Sequence, residues 1–234
     1  EVDILREFAR RWFEDENAFL QHYLAIESAS ERITVLTDGK ADMSISVFSY
    51  TDERDEIIDF SQIYFEDGQQ LLVRVDADPP IESVCDLDGR SVGVISGSTG
   101  IQNIITFAQE QCGFDIEDQL VQYPNHATAA DDLRNGGVAA VTTDGGILVQ
   151  YENDLMKVVG LVFSQEEYGI GLPPGETELK ALVDATLQAM KIDGTYDAMG
   201  CHWFGSDKIP YPIEAPNTTE ELLNSLDAEM QALV

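Results

Sequence analysis

The stretch SVGVISGSTG, residues 91–100, decides the fold class of this chain. Its first half is an apolar run of strand length, its second half is a loop of glycine and small hydroxyl residues, and a helical pattern follows over 100–111. The same order of strand, loop and helix recurs along the middle of the chain, which predicts parallel sheets covered by helices. The predicted strands of this part lie at 69–75, 91–95, 118–122, 138–142 and 156–160, and the predicted helices at 100–111, 127–135 and 145–153.

The sequence on either side of this central part also alternates between helical and strand patterns, although less regularly. Residues 3–13 repeat apolar side chains at helical spacing, which predicts an amphipathic helix with Phe8 and Trp12 on its buried face. The remaining predicted elements are helices at 30–38, 177–192 and 195–203 and strands at 21–26, 41–47 and 168–172. The whole chain is therefore predicted to be an α/β protein.

The charge of the chain excludes one class of partner. Its 234 residues include 13 Lys and Arg against 44 Asp and Glu, for a formal net charge of −31. Such a surface repels polyanions, so nucleic acid and anionic lipid surfaces are excluded as partners. No apolar run approaches the roughly 20 residues that a membrane-spanning helix needs. The acidic residues are spread along the chain, and we interpret them as a solvated surface, which is also compatible with a saline habitat.

Catalytic and metal-binding motifs are missing from the sequence. The cysteines and histidines show no CxxC or Cys/His ligand spacing, so no metal site is predicted. The loop ISGSTG, residues 95–100, looks like a phosphate-binding loop but lacks the lysine of the P-loop motif and does not match GxGxxG. Because GxSxG and HExxH are also missing, we expect a protein that is not an enzyme and that uses no cofactor.

Cys85 and Cys112 are predicted to form a disulfide. Cys85 precedes the strand at 91–95, and the helix at 100–111 runs back antiparallel to that strand, which returns Cys112 to the end where the strand starts. A compartment outside the cytoplasm permits such a bond. The alternative is that both cysteines are buried free thiols.

Three loops that follow predicted strands carry polar side chains suited to a small charged ligand. Parallel sheets bind ligands at the carboxyl ends of their strands, where these loops meet. The loop SVFSYTDER, residues 46–54, supplies Ser49 and Arg54, and a guanidinium group matches a carboxylate bidentately. The alternative is that Arg54 is an exposed residue paired with neighbouring acidic side chains.

The other two loops add an anion site and an acidic side chain. Residues 95–100 supply Ser98 and Thr99 at the start of a helix, where free amides suit any anion, and VTTDGG, residues 141–146, supplies Asp144 for an ammonium group. In both loops the alternative is simple capping of the following helix. Taken together with Arg54, these residues supply a carboxylate receptor and an ammonium receptor, which a zwitterionic α-amino acid requires.

Six segments carry a family resemblance. In chain order they are VDILREFARRW, SERITVLTDGKADMSIS, TDERDEIIDFSQIYFEDGQQLLVR, DLDGRSVGVISGSTG, YGIGLPPGETELKALV and DGTYDAMGCHWFG. This order resembles the family 3 solute-binding proteins, the polar amino-acid receptors of ABC importers, over about residues 1–205. The combination of segments covers nearly the whole chain and is specific.

The resemblance implies a type II periplasmic-binding-protein fold, in which two α/β lobes are joined by a two-strand hinge. The hinge strands are expected near Tyr64–Gly68 and Ser164–Tyr168. One lobe is expected to hold residues 1–66 and 167–234, and the other residues 67–166.

Two features depart from the family pattern. The first strand of lobe 1 and its loop, which normally precede VDIL and contact the ligand, are absent from this chain. At the other end, an extension from about residue 206 runs past the family's core and is expected to form an extra helix at about 217–231.

The same resemblance implies a set of ligand contacts. The family's carboxylate arginine matches Arg54, and its ammonium aspartate matches Asp144. Its hydroxyl and backbone contacts match Val47, Ser49 and Thr99.

The identity of the amino acid is predicted from residues 28–32. The wall position that is often aromatic is Ala29, which disfavours a cationic ligand held between aromatic rings. Arg32 matches a position that, in acidic-amino-acid receptors of the family, meets the side-chain carboxylate of the ligand. We therefore expect an acidic or amide amino acid, glutamate or aspartate ahead of glutamine, with Arg32 as the selector. The alternative is that Arg32 pairs with Glu27 or Glu31 on a helix surface.

The resemblance thus predicts an exported, periplasmic or extracellular receptor that delivers a polar amino acid to the membrane permease of an ABC importer and acts as a monomer. The same fold also serves as a ligand-sensing domain of signalling receptors and in cyclohexadienyl dehydratase-like enzymes. The sequence contains neither a membrane helix nor a candidate general acid beyond Glu31, so both alternatives receive less support.

Overall fold

The computed structural model describes residues 1–20, 22–26 and 28–204. By its contacts the chain divides into two compact units. The first consists of Glu1–Ala25, Ile33–Phe65 and the described part of Glu167–Val234, and the second of Ile26–Arg32 and Glu66–Glu166. The lobe boundaries expected from the sequence remain a prediction, and the helix expected at 217–231 lies outside the described residues.

Helices and strands alternate along the described chain. The helices are α1 (Val2–Phe13), α2 (Glu31–Thr37), α3 (Asp52–Asp55), α4 (Gly100–Phe107), α5 (His126–Asn135), α6 (Gly145–Leu148), α7 (Thr177–Ile192) and α8 (Thr195–Phe204). The strands are β1 (Asp59–Phe60), β2 (Phe65–Asp67), β3 (Gln69–Arg74), β4 (Val92–Ile95), β5 (Leu120–Tyr123), β6 (Ala140–Asp144), β7 (Met156–Val159), β8 (Glu166–Tyr168) and β9 (Gly171–Leu172). In the part of the chain that the structure describes, no helix is both long and apolar enough to cross a membrane.

The second unit is built on a five-stranded sheet with the strand order β5-β4-β6-β3-β7. The strand β4 pairs in parallel with β5 and β6, whereas β3 pairs antiparallel with β6 and β7. Val92 and Val94 of β4 face one apolar cluster and Ile95 faces the other, so the strand is buried on both faces. Gly93 lets the neighbouring strands approach, because a Cβ there would lie 3.0 Å from side-chain atoms of Tyr123 and Val141.

The first unit has its core between α1 and α7. Ile4 and Phe8 of α1 pack in one apolar cluster with Val183 and Leu187 of α7, as the helical spacing of the sequence predicts. A short sheet in which β1 pairs with β9 completes this part of the chain.

Three sequence-based strand predictions are wrong. The predicted strand at 41–47 is reduced to a single bridge between Ser44 and Gly171, because the chain turns away at Val47, where φ is 49°. Residues 22–26 are irregular and almost all exposed, without the burial that a strand face requires. The predicted strand at 168–172 is two strands, since β8 pairs with β2 and β9 with β1.

A disulfide closes the segment that contains β4 and α4. Cys85 and Cys112, the pair expected from the sequence, are bonded with their Cα atoms 5.1 Å apart. The helix α4 continues as a π-helical turn over Ala108–Cys112, which returns the second cysteine to the first. Cys201 is a free, exposed cysteine.

The double variant Cys85→Ser/Cys112→Ser is expected to fold but to be less stable. A crosslink across 27 residues lowers the entropy of the unfolded chain and contributes about 3–4 kcal/mol in the chain-entropy model. Urea unfolding of the variant, beside a Cys201→Ser control that should match the wild type, measures the difference. A double variant as stable as the control would contradict this prediction.

His126, the first residue of α5, is half-buried in the second unit. Its Nε2 lies 3.3 Å from Oγ1 of Thr143. Burial lowers the pKa of His126 below its ordinary value, and the positive charge of Arg32 lowers it further. The unfolded chain therefore binds a proton at this position at a higher pH than the folded chain does.

The stability of the protein is expected to fall as the pH drops below about 6.5, the ordinary pKa of histidine. The contribution of neutral His126 is complete above that pH, and it is lost as the pH falls towards the lowered pKa of the folded state. Each unit of the shift corresponds to at most about 1.4 kcal/mol. The melting temperatures of the wild type and of His126→Gln, plotted against pH, should run parallel above pH 7. The two plots should converge or cross between pH 6.5 and 5. Parallel curves throughout would contradict the prediction.

Candidate functional site

The loop around Val47 in the first unit is fixed by the first residue of the chain. The backbone N–H of Val47 donates to Oε1 of Glu1 at 2.5 Å, and the hydroxyl of Tyr64 donates to the same oxygen at 2.7 Å. Val47 has a left-handed backbone, which is unfavourable for a β-branched residue and is found where the surrounding structure imposes it. These contacts set the course of the loop that leads to Ser49 and Arg54.

Arg54 is a half-buried residue of the short helix α3. Its Nη1 donates to the backbone oxygen of Ser49 at 2.6 Å, and its guanidinium carbon lies 5.2 Å from the centre of the Phe48 ring. The hydroxyl of Thr51 caps α3 by accepting the N–H of Arg54 at 3.2 Å. One of the five N–H donors of the guanidinium group thus fixes its orientation. The structure orients Arg54 by a backbone oxygen and an aromatic ring, which is not the arrangement of an exposed arginine in an acidic turn.

Ser49, whose backbone oxygen accepts that hydrogen bond, is only 4% exposed. It also forms an isolated bridge with Tyr168, so its backbone is held in place by a second element of the unit. The first unit therefore joins Arg54 to the backbone of Ser49, in the loop that follows Val47.

In the second unit, the loop after β4 turns at Gly97, where φ is 75°. Ser98 closes this turn, since its N–H and its hydroxyl both donate to the oxygen of Ile95, at 3.1 and 2.8 Å. Thr99 occupies the N-cap position of α4, but its side chain makes no capping hydrogen bond. Simple helix capping therefore does not account for the hydroxyl of Thr99.

The hydroxyl of Thr99 donates instead to a carboxylate that sequence reasoning missed. Its Oγ1 lies 3.0 and 2.9 Å from the two carboxylate oxygens of Glu166, which is 2% exposed. The available signal was the alternation within β8, where Glu166 and the aromatic Tyr168 are buried and Glu167 between them is half-buried. In that alternation, Glu166 lies on the buried face of the segment.

Asp144 is the last residue of β6 and is 5% exposed. It occupies the N-cap position of α6, yet its side chain makes no capping hydrogen bond. The start of α6 is capped by Asp67, whose Oδ2 accepts the N–H of Gly146 at 3.0 Å. The capping alternative for Asp144 is therefore not how the structure uses this carboxyl group.

Arg32 is the second residue of α2 and is 6% exposed. Its Nε donates to the backbone oxygen of Ala29 at 2.9 Å. The segment around it lies against the loop after β4, since a Cβ on Gly97 would come within 3.1 Å of Ser30. In the second unit the structure thus places Ser30, two residues before Arg32, against the loop that carries Ser98 and Thr99.

The electrostatics of the two units differ. The first unit presents the fixed guanidinium of Arg54, and the second presents the buried carboxyl group of Asp144 at the end of a strand. Within the described residues, no group of three or more His, Cys, Asp and Glu side chains is arranged to hold a metal ion.

Residues 1–206 match the model of the bacterial extracellular solute-binding proteins, family 3. The chain is 33% identical over 210 residues to the ABC transporter glutamine-binding protein GlnH of Bacillus subtilis, which covers 88% of this chain and 72% of that protein. It is 33% identical over 190 residues to the glutamate-binding protein GluB of Corynebacterium glutamicum, covering 77% of this chain and 62% of that protein.

Solved structures lead to the same family. An ancestral arginine-binding protein bound to glutamine matches with a TM-score of 0.74 and 32% identity, over 87% of this chain and 86% of that one. The arginine-, lysine-, histidine-binding protein ArtJ of Geobacillus stearothermophilus matches with a TM-score of 0.73 and 30% identity, over 89% and 86% of the two chains. The predicted α/β fold of the type II periplasmic binding proteins is thus confirmed. The chain belongs to family 3 of the bacterial extracellular solute-binding proteins.

Proposed function

We propose that this protein binds a polar amino acid outside the cytoplasm and delivers it to the membrane permease of an ABC importer. The observation that carries the proposal is the buried carboxyl group of Asp144, which ends a central strand while Asp67 caps the helix that follows. A buried carboxylate that is not used for capping suits a cationic group of a ligand. The names of the curated relatives, binding proteins for glutamine and glutamate, support the same class of ligand.

Arg54 complements Asp144 in this proposal. Its guanidinium group is oriented before any ligand arrives, by Ser49 and by the ring of Phe48, so little side-chain entropy is lost when it binds a carboxylate. In the second unit, the backbone N–H of Thr99 at the start of α4 is a donor for an anionic group of the ligand. Ser49 and Val47 hold the loop of Arg54, and Ser98 holds the turn of Thr99.

The transport role is favoured over the other roles of this fold. The curated relatives quoted above are named as transporter or amino-acid binding proteins, and none of them is named as an enzyme. We propose that the protein acts as a monomer, because all of the residues assigned to the ligand belong to a single chain.

The variants Arg54→Ala and Asp144→Asn are each expected to weaken amino-acid binding by about 100-fold or more, because removing one member of a desolvated charge pair costs about 3 kcal/mol or more. Titration calorimetry measures the loss, and circular dichroism checks the fold. Arg134→Ala is the matched control, since it removes an arginine whose partner is the exposed Asp131. If Arg54→Ala binds within threefold of the wild type, the proposed carboxylate site is wrong.

The proposed ligand is glutamate or aspartate ahead of glutamine, with Arg32 as the residue that selects them. Arg32 is buried beside the loop that carries Thr99, so its charge is poorly screened by solvent. Calorimetry over the twenty amino acids should give the tightest binding for an acidic or amide side chain. Arg32→Gln should then weaken glutamate by at least about tenfold more than glutamine, because only glutamate loses a charged partner. Tight binding of arginine or lysine, with no heat from glutamate, aspartate or glutamine, would contradict the assignment.

A further inference from the structure

Glu166 is a buried carboxylate to which the proposed function gives no role. It ends the second unit along the chain and starts β8, and it is 2% exposed. Its oxygens accept hydrogen bonds from Oγ1 of Thr99 at 3.0 and 2.9 Å, from Nδ2 of Asn103 at 2.6 Å and from Nε2 of Gln69 at 3.4 Å. Within the described residues, no lysine, arginine or histidine forms an ion pair with it.

All of these partners are neutral, so the carboxylate is held by hydrogen bonds alone. An ionised carboxylate can only accept, and each neighbour must therefore direct a proton towards it. Asn103 has a second N–H for other uses, but the hydroxyl of Thr99 has only one proton. That proton points at Glu166, so the lone pairs of Oγ1 of Thr99 are directed away from the carboxylate.

We propose that Glu166 is a positioning residue that fixes the direction of the Thr99 hydroxyl, so that this oxygen offers the ligand a hydrogen-bond acceptor. The inference rests on the proposed function, in which Thr99 contacts the amino acid. The ligand carboxylate is then bound by the backbone N–H of Thr99, whereas the hydroxyl of Thr99 accepts an N–H of the ligand. A buried carboxylate without a cation lowers the stability of the folded protein. The direction that it gives to the hydroxyl proton of Thr99 in the binding loop is a functional reason for its presence.

The chain offers a substitution that removes this fixed direction without changing the shape of the side chain. In Glu166→Gln the side-chain oxygen continues to accept from Asn103, and an amide N–H replaces the other of the two oxygens that lie within 3.0 Å of Oγ1 of Thr99. The Thr99 hydroxyl then has a donor as well as an acceptor beside it, so its proton is no longer held away from the ligand. Adding Asn103→Asp restores the original order, because the carboxylate then present at position 103 accepts the new amide N–H. The amide oxygen at position 166 is thereby left to accept the proton of Thr99, as the carboxylate does in the wild type.

The experiment compares the wild type, E166Q, E166Q/N103D, T99V and E166Q/T99V by titration calorimetry with the amino acid that binds the wild type most tightly. E166Q is expected to weaken binding by about tenfold, the scale of one hydrogen bond of wrong polarity, and E166Q/N103D to return to within about threefold of the wild type. In the T99V background E166Q should cause no further loss, since the hydroxyl is gone. Thermal melts report whether each variant is folded.

Three outcomes would overturn the inference while leaving the proposed function intact. These are wild-type affinity in E166Q, an equal loss in E166Q and in a folded E166Q/N103D, or a full additional loss from E166Q in the T99V background. A wild-type protein that binds none of the twenty amino acids would instead overturn the proposed function itself. If E166Q alone fails to fold, recovery of fold and affinity together in E166Q/N103D still supports the inference, and recovery of the fold without affinity contradicts it.

Discussion

The second unit depends on the parallel pairing of β4 with both β5 and β6. Parallel neighbours need crossover connections, and these place α4 and α5 over the sheet and bury β4 on both faces. The same pairing brings the carboxyl ends of β4 and β6 to one edge of the sheet. The loop with Thr99 and the strand end with Asp144 are therefore set by the backbone, before any side-chain contact forms.

Buried polar side chains concentrate at this edge. Gln69 lies opposite Asp144 in the pairing of β3 with β6, and its amide also reaches Glu166. Burying a polar side chain lowers the free energy of unfolding unless hydrogen bonds compensate for the lost water. A cluster of buried polar side chains is therefore unusual in a protein selected for stability alone. Their position at the carboxyl edge, and not in the interior of the sheet, fits a preorganised binding surface.

The net charge of −31 has little to do with this local arrangement. Charge spread over a surface changes the rate at which ions approach, whereas the first contacts of the ligand decide which ligand is held. Several arginines of the described chain lie in exposed pairs, such as Arg6 with Asp3 and Arg134 with Asp131, which contribute little to stability. Arg54 and Arg32 differ because backbone oxygens orient them out of bulk solvent.

The sequence by itself determined the α/β class, the long helices and the central strands, because their apolar periods are long and agree with one another. It also determined the family and the chemical types at the loop ends, Arg54, Thr99 and Asp144. It did not predict the turn at Val47, because a hydrogen bond to Glu1, far away in the chain, imposes a backbone that local propensity disfavours.

The tertiary structure alone decided how the polar groups are paired. Asp67 rather than Asp144 caps α6, and the hydroxyl of Thr99 donates to Glu166 and makes no capping hydrogen bond in α4. Both pairings join residues that are more than 60 positions apart, and no local pattern encodes such a distance. The sequence sets which groups are available, and the pairing of strands decides which of them meet.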